Sequence, residues 1–380
     1  MRCIVYGGTK NPLKELTRNP PRAGRRGRVL VKVHAVGLNP VDAKDVMGDK
    51  LPHSWTWARS SVQSMLKNRI VGFDFAGTVA EDHSVQFRRG DKVFGNMPPL
   101  EGTLAEYISV PLDQICHTPT TKTFVEAAAL PLVGLTALQS LSPYVVTNDT
   151  SVLVLGASGG TGHVAVQVAR HGLGAAHVTA VCSGRNADFC RDQCGATHVV
   201  DYTLDHGSQD TLYRNLQQAP GYPFHVVLDC VTSADPADRQ VDYPSLIRQK
   251  NRATTNAKAT LLVPDYKYLR LGGPTPDWVR AGVERVCFGL DCWPDKHEKL
   301  FWIRFPKSSH ELQQLREWAS EGKLMVQVAE TVPFTAQAVQ AAFDRILERR
   351  VQGKIVVEIV PQEQAQSAAT DVLSPSGVVS

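Results

Sequence analysis

The sequence has no uninterrupted apolar run near the roughly 18 residues a helix needs to cross a bilayer, so a membrane span is not expected. It also lacks a strong charge of either sign. With 41 basic residues against 37 acidic ones the net charge is +4, too small to imply a nucleic-acid partner. The densest basic run, 22–28, lies between Pro21 and a strand-like segment. It reads as a solvated turn, with a phosphate-binding patch as the alternative. Cysteine is sparse, eight in 380 residues, as in a reduced cytosolic protein. The close pairs, Cys190 with Cys194 and Cys287 with Cys292, lack CxxC spacing. No Cys/His group supplies four tetrahedral ligands, so structural zinc is not expected. Cys190 and Cys194 fall on one helix face, as two small buried hydrophobes would. No apolar signal region or Arg/Ser-rich leader precedes the strand-like Met1-Arg-Cys-Ile-Val-Tyr6, which sets the expectation of a fold starting at residue 1 and a cytoplasmic location.

What is present is an ordinary globular composition in a chain long enough for two domains. Up to about residue 123, short apolar segments at 29–35, 77–80, 92–94 and 105–110 alternate with Gly/Pro punctuation. That pattern predicts a small, mostly β domain, interrupted by a partly helical stretch at 51–68 that carries Trp55 and Trp57. From Thr123 the texture changes. A helix is predicted over 126–141, then strand 151–155, helix 162–170, strand 177–181, helix 186–194 and strand 198–200, followed by strands at 226–229 and 266–271. Alternation of this kind predicts a parallel sheet with helices on its faces. From about residue 309 the order is helix, strand, helix and strand, and 361–380 reads as a disordered tail.

The strongest chemical signal is Leu155-Gly156-Ala157-Ser158-Gly159-Gly160-Thr161-Gly162, after a strand and opening a helix. Glycines there let the backbone turn tightly and approach a pyrophosphate, whose charge meets the positive end of the helix. In the best register, Ala157 stands where the first glycine of the dinucleotide fingerprint would be. The end of the second strand selects the cofactor. Twenty to 23 residues after Gly162 stands Cys182-Ser183-Gly184-Arg185, with no carboxylate to accept from a ribose 2′-hydroxyl. A hydroxyl, backbone amides and a guanidinium suit a 2′-phosphate, so NADPH is the expected cofactor.

Six further motifs flank the loop in order: Asn39-Pro-Val-Asp42, Gly72-Phe-Asp-Phe-Ala-Gly77, Arg89-Gly-Asp-Lys-Val-Phe-Gly95, Gly102-Thr-Leu-Ala-Glu-Tyr107, Ala129-Leu-Pro-Leu132 and Gly353-Lys354. Together they resemble the medium-chain dehydrogenase/reductase superfamily, in its zinc-free quinone oxidoreductase (ζ-crystallin-like) branch. The stretches 177–183 and 195–202 most resemble the reticulon-interacting NADPH oxidoreductase subgroup. The resemblance implies an α/β protein. A GroES-like catalytic domain would be built from 1–123 and 309–360, with an inserted Rossmann domain, a doubly wound parallel sheet, over 124–308 and NADPH in the cleft between them. It places Asn39 near the nicotinamide ribose and Thr136 beside the nicotinamide, the two expected catalytic residues. It sets Ala157 to Gly162 at the pyrophosphate, and Ser183, Arg185 and Tyr202 around the adenosine 2′-phosphate. Each has a plainer alternative, such as a turn at Asn39 before Pro40 or a self-bonded helix hydroxyl at Thr136.

Zinc-dependent relatives carry a Cys in the region of Asn39 and a Gly-His-Glu where this chain has Gly72-Phe73-Asp74. No metal is therefore expected, and with it goes the Lewis acid that alcohol oxidation would need. What remains suits hydride transfer to an acceptor that is already electrophilic. A quinone is the first expectation and an enone or enal the second, because the latter wants a proton donor that the sequence does not offer. A catalytically idle NADPH-binding protein is the third reading. Residues 283–305 are apolar enough to take part in a homodimer.

Overall fold

The computed structural model describes residues 1–8, 12–22, 27–47, 67–81, 85–98, 101–145, 147–231, 243–248, 260–271, 297–301 and 308–360. Residues 51–66 with Trp55 and Trp57, most of 283–305 with Cys287 and Cys292, much of 231–265 and the tail 361–380 lie outside them.

In chain order the elements begin with β1 (Arg2–Tyr6), β2 (Leu13–Thr17), β3 (Arg28–Gly37), α1 (Pro40–Met47), β4 (Asp74–Val79), β5 (Lys92–Asn96), β6 (Tyr107–Pro111) and β7 (Ile115–His117). They continue with α2 (Phe124–Ala129), α3 (Pro131–Leu141), β8 (Ser151–Leu155), α4 (Gly160–Gln167), β9 (His177–Cys182), β10 (His198–Asp201), α5 (Gln209–Gln217), β11 (Phe224–Asp229), α6 (Tyr243–Arg248), β12 (Leu262–Arg270) and β13 (Glu298–Leu300). The last are α7 (Ser309–Ser320), β14 (Val328–Pro333), α8 (Ala336–Leu347) and β15 (Lys354–Glu358).

Contacts divide the chain into two units. One comprises Met1–Leu132, Phe305–Ser320 and Gln327–Ser380, the other Val133–Arg304 and Glu321–Val326. The first unit holds a seven-stranded sheet ordered β14-β15-β3-β4-β5-β7, with β6 also paired to β3, and a separate β1–β2 ribbon. Its pairings are antiparallel except β14 with β15. The first unit runs on to Leu132 because α2 packs on β3 and β4. The single helix expected over 126–141 is two helices. Thr123 and Glu126 form a capping box at the start of α2. Pro131, which has no N–H to give, ends α2 and begins α3.

His34 on β3 is buried, with its ring stacked on Phe124 at 4.3 Å and Nε2 3.2 Å from the Thr78 hydroxyl. Burial, then the charges of Lys32 and Lys92, lower its pKa from 6.5 to about 4. A folded pKa below the unfolded one means the unfolded chain takes the proton first. The stability His34 contributes is full above pH 6.5 and lost as pH falls towards 4, on the order of 3 kcal/mol. His34→Leu should remove that part of the acid sensitivity. Urea unfolding of the variant and the parent at pH 4 and pH 7 measures it, and a difference between the two proteins that does not change with pH would contradict it.

The second unit contains a six-stranded, all-parallel sheet in the order β10-β9-β8-β11-β12-β13. Counted within the unit that is 3-2-1-4-5-6, whose direction reverses between β8 and β11, the crevice where such sheets bind nucleotides. All five residues of β8 are buried, which explains its unbroken Val/Leu run. The helix expected over 186–194 is present as a continuous helical segment over 184–193 that opens with a 3-10 turn, Gly184–Asn186, and closes with a π-helical turn, Phe189–Gln193. Cys182, Cys190 and Cys194 are buried together, and the Cys190 thiol hydrogen-bonds to Cys182.

Candidate functional site

The glycine loop follows β8 at the switch point. Val181 on β9 pins its start, its carbonyl accepting from the N–H groups of Gly156 and Ala157 at 3.0 Å each. The glycines do different work. Gly156 has φ +72°, and a Cβ there would sit 2.6 Å from Val231 Cγ2. A Cβ on Gly162 would lie 2.2 Å from the Gly156 carbonyl oxygen, so Gly162 is what lets α4 close against the loop. Gly159, the N-cap of α4, differs. Its φ of −75° and ψ of 177° suit any residue, and among the described residues a Cβ would touch only the Gly156 oxygen, at 3.4 Å. Since no contact among the described residues demands glycine at 159, its bareness leaves space, as far as those residues go, over a helix N-terminus. No side chain caps that end, so the first-turn N–H groups stay available to a ligand. Open space over uncapped N–H groups fits a pyrophosphate.

Four predicted residues meet near the ends of β9 and β10. Ser158 and Ser183 are joined by Asn186, whose Nδ2 donates to Ser158 Oγ at 2.9 Å and to Ser183 Oγ at 3.3 Å. Tyr202, half-buried, donates its backbone N–H to the Cys182 carbonyl at 3.1 Å. Arg185 is exposed and, among the described residues, has no ion-pair partner. Asp201, at the end of β10, accepts at Oδ1 from the Thr203 N–H and hydroxyl at 2.8 and 2.6 Å. Its other oxygen stands where a Gly184 Cβ would be, 2.3 Å away, which explains glycine at 184. Ala157 is buried, whereas Gly160 and Thr161 are half-buried. Thr136 is half-buried in the otherwise buried run 131–140.

Asn39 lies in the first unit, inside a charged cluster of which the sequence reading saw only the parts. Asn39 N-caps α1, and Asp42 Oδ2 accepts from its backbone N–H at 2.8 Å. Its Nδ2 donates to Asp74 Oδ2 at 3.0 Å and its Oδ1 accepts from Lys354 Nζ. Lys354 also donates to the Leu38 carbonyl at 2.8 Å and approaches Asp74 Oδ2 at 3.5 Å. Asp74 Oδ1 accepts from the Leu132 N–H at 2.8 Å. Asn39, Asp42, Asp74 and Lys354 are at most 3% exposed. Burial raises Asp74 to about 6, opposed by Lys354 and by the hydrogen bonds from Asn39 and Leu132. Burial lowers Lys354, opposed by the Asp74 and Asp42 charges. The cluster leaves the Asn39 amide one orientation.

A parallel sheet with a glycine loop at its switch point, in a chain whose other unit is an antiparallel sheet holding a buried Asn–Asp–Lys cluster, marks a dinucleotide-binding oxidoreductase. Residues 25–120 match the alcohol dehydrogenase GroES-like domain, and residues 194–357 match the zinc-binding dehydrogenase family. The chain is 30% identical to the human mitochondrial NAD(P)H oxidoreductase RTN4IP1, over 93% of this chain and 87% of that protein. It is 29% identical to an Arabidopsis thaliana chloroplast envelope quinone oxidoreductase homolog, over 93% and 96%. The quinone oxidoreductase structure from Coxiella burnetii superposes with a TM-score of 0.70 at 27% identity, covering 95% of this chain and 99% of that one. The chain belongs to the medium-chain dehydrogenase/reductase superfamily and is an oxidoreductase.

Among the described residues, no helix is long and apolar enough to cross a membrane, and no three metal-ligating side chains gather. Sequence reasoning missed Asn186 and the partners of Asn39. Asp74 before Phe75-Ala76, and Lys354 before Ile-Val-Val, are charges inside strand-like apolar runs, and that was a readable sign of a buried pair.

Proposed function

We propose that this chain is a zinc-independent reductase that uses NADPH and passes hydride to a quinone. The observation that carries the cofactor choice is the turn after β9, whose own residues Ser183, Arg185 and Asn186 include no carboxylate, the nearby Asp201 being supplied by β10 and accepting from Thr203. The loop 157–162 would hold the pyrophosphate, Tyr202 would flank the 2′-phosphate, and Thr136 and Asn39 would serve the nicotinamide end. The parallel-sheet unit is the NADPH-binding domain and the antiparallel unit the catalytic one. Bound there, NADPH supplies the hydride, and the chain's own residues bind and orient. The quinone oxidoreductases among the similar proteins support that acceptor. A quinone takes its remaining proton from water, which suits a site to which no general acid is assigned. An enal is the alternative acceptor, and a homodimer is part of the proposal. The six described cysteines are free thiols, in keeping with a reducing compartment such as the cytosol.

Arg185→Glu should weaken NADPH binding roughly 10- to 100-fold by removing a charge-assisted contact, and leave NADH within about threefold. Titration by nicotinamide fluorescence checks this. Equal losses for the two cofactors would sink the 2′-phosphate assignment.

A further inference from the structure

We infer that Asn186 is a positioning residue of the cofactor site, one that turns the Ser158 and Ser183 hydroxyls outward as donors to phosphate. The inference rests on the NADPH reading above and adds to it the residue that links the two phosphate subsites.

A serine hydroxyl has one proton to give and two lone pairs to accept with. Asn186 Nδ2 spends its two hydrogens on Ser158 Oγ and Ser183 Oγ, so each serine uses a lone pair and keeps its proton. Among the described residues, neither hydroxyl donates to a protein acceptor. The arrangement therefore holds two half-buried O–H donors on one amide, with no acceptor for them among the described residues. Ser158 belongs to the loop that opens α4, an eight-residue helix whose uncapped N-terminus already favours an anion. Ser183 follows β9, two residues before the exposed Arg185. The turn carrying Asn186 is closed by its own backbone, whose N–H donates to the Ser183 carbonyl at 2.8 Å, which holds the residue's Cα beside Ser183. Two free hydroxyl donors, a helix N-terminus and a guanidinium ask for a ligand with two phosphate groups.

The sign of the side chain is what matters. An aspartate at 186 would be nearly isosteric, but it could only accept. It would draw the two hydroxyl protons inward and set a negative charge beside both subsites. An alanine would leave the hydroxyls free to rotate.

The test is calorimetric binding of NADPH, NADH, 2′,5′-ADP and 5′-AMP to the wild type, Asn186→Asp and Asn186→Ala. Asn186→Asp should lose roughly 10- to 100-fold for NADPH and 2′,5′-ADP, with a smaller loss for NADH, which has one phosphate site fewer. Asn186→Ala should lose about three- to tenfold for NADPH, the scale of one or two weakened hydrogen bonds. Adding Ser183→Ala to Asn186→Asp should cost little more, because the two changes disable one contact. Asn186→Asp within threefold of the wild type for NADPH would overturn the inference. So would an alanine that loses as much as the aspartate, which would mean the residue only packs. If Asn186→Asp does not fold, the alanine variant decides alone, and no loss of NADPH affinity there overturns the proposal. A wild type that binds 2′,5′-ADP no better than 5′-AMP is a separate failure. It removes the 2′-phosphate reading itself, and Asn186's proposed role with it, before any variant is made.

Discussion

Gly159→Val should lower the affinity for NADPH and for NADH by about 100-fold or more while leaving the protein folded. Most glycine substitutions cannot separate a packing role from a ligand role, but this loop allows the separation. Valine is compatible with the backbone angles at 159, and among the described residues a Cβ there meets only the Gly156 oxygen, at ordinary contact distance. The melting temperature without ligand should therefore move by only a few degrees. Gly162→Val is the opposite case. Its Cβ would lie 2.2 Å from the Gly156 oxygen and 2.8 Å from Ala157 Cα, so the fold itself should suffer. Calorimetric titration paired with thermal melts checks the pair. A Gly159→Val protein that binds NADPH within tenfold of the parent would mean that the pyrophosphate lies elsewhere.

Lys354→Met should destabilise the protein by about 3–5 kcal/mol, the cost of leaving a buried carboxylate without its counter-ion. Asp74 would retain the Asn39 and Leu132 donors but lose the only cation this close to its carboxylate among the described residues. The loss should depend on pH, and its sign follows from Asp74. Its folded pKa of about 6 stands above the ordinary 3.8, so burial favours the protonated form. What that contributes to stability is full below pH 3.8 and lost as pH rises through 6. Without Lys354 the folded pKa moves higher still, so the variant should be closer to wild type at pH 5 than at pH 8. Adding Asp74→Asn, which removes the charge, should recover part of the loss. Urea unfolding at the two pH values decides. A loss below about 1 kcal/mol that is equal at both would show that Lys354 is not the counter-ion.

Local signals carried much of this fold. The Val/Leu run into Gly156 marked β8 and its loop, because a strand buried on two faces needs no polar alternation. β2 was not visible. Leu-Lys-Glu-Leu-Thr spaces its leucines three apart, as a helix would, and exposes its polar residues, so only pairing with β1 makes it a strand. The break between α2 and α3 was written in Pro131, yet apolar periodicity runs across it. At the site, the loop and the end of β9 were legible because their chemistry lies within a few residues. The partners of Asn39 were not. Asp74 is 35 positions away and Lys354 315, and only the register of β15 on β3 and β3 on β4 brings them to one place. Asn186 escaped notice because it sits in the 3-10 turn that opens a helix, and one of its two serine partners, Ser158, lies 28 positions away on another loop.

The most direct measurement is the oxidation of NADPH and NADH by the wild-type protein with a naphthoquinone, followed by absorbance, with and without a metal chelator and beside a straight-chain 2-enal. The expected result is turnover with the quinone that prefers NADPH, is indifferent to the chelator and exceeds the rate with the enal. Clear NADPH binding with no turnover of either acceptor would contradict the assignment as a reductase. Turnover abolished by the chelator would contradict its independence from zinc.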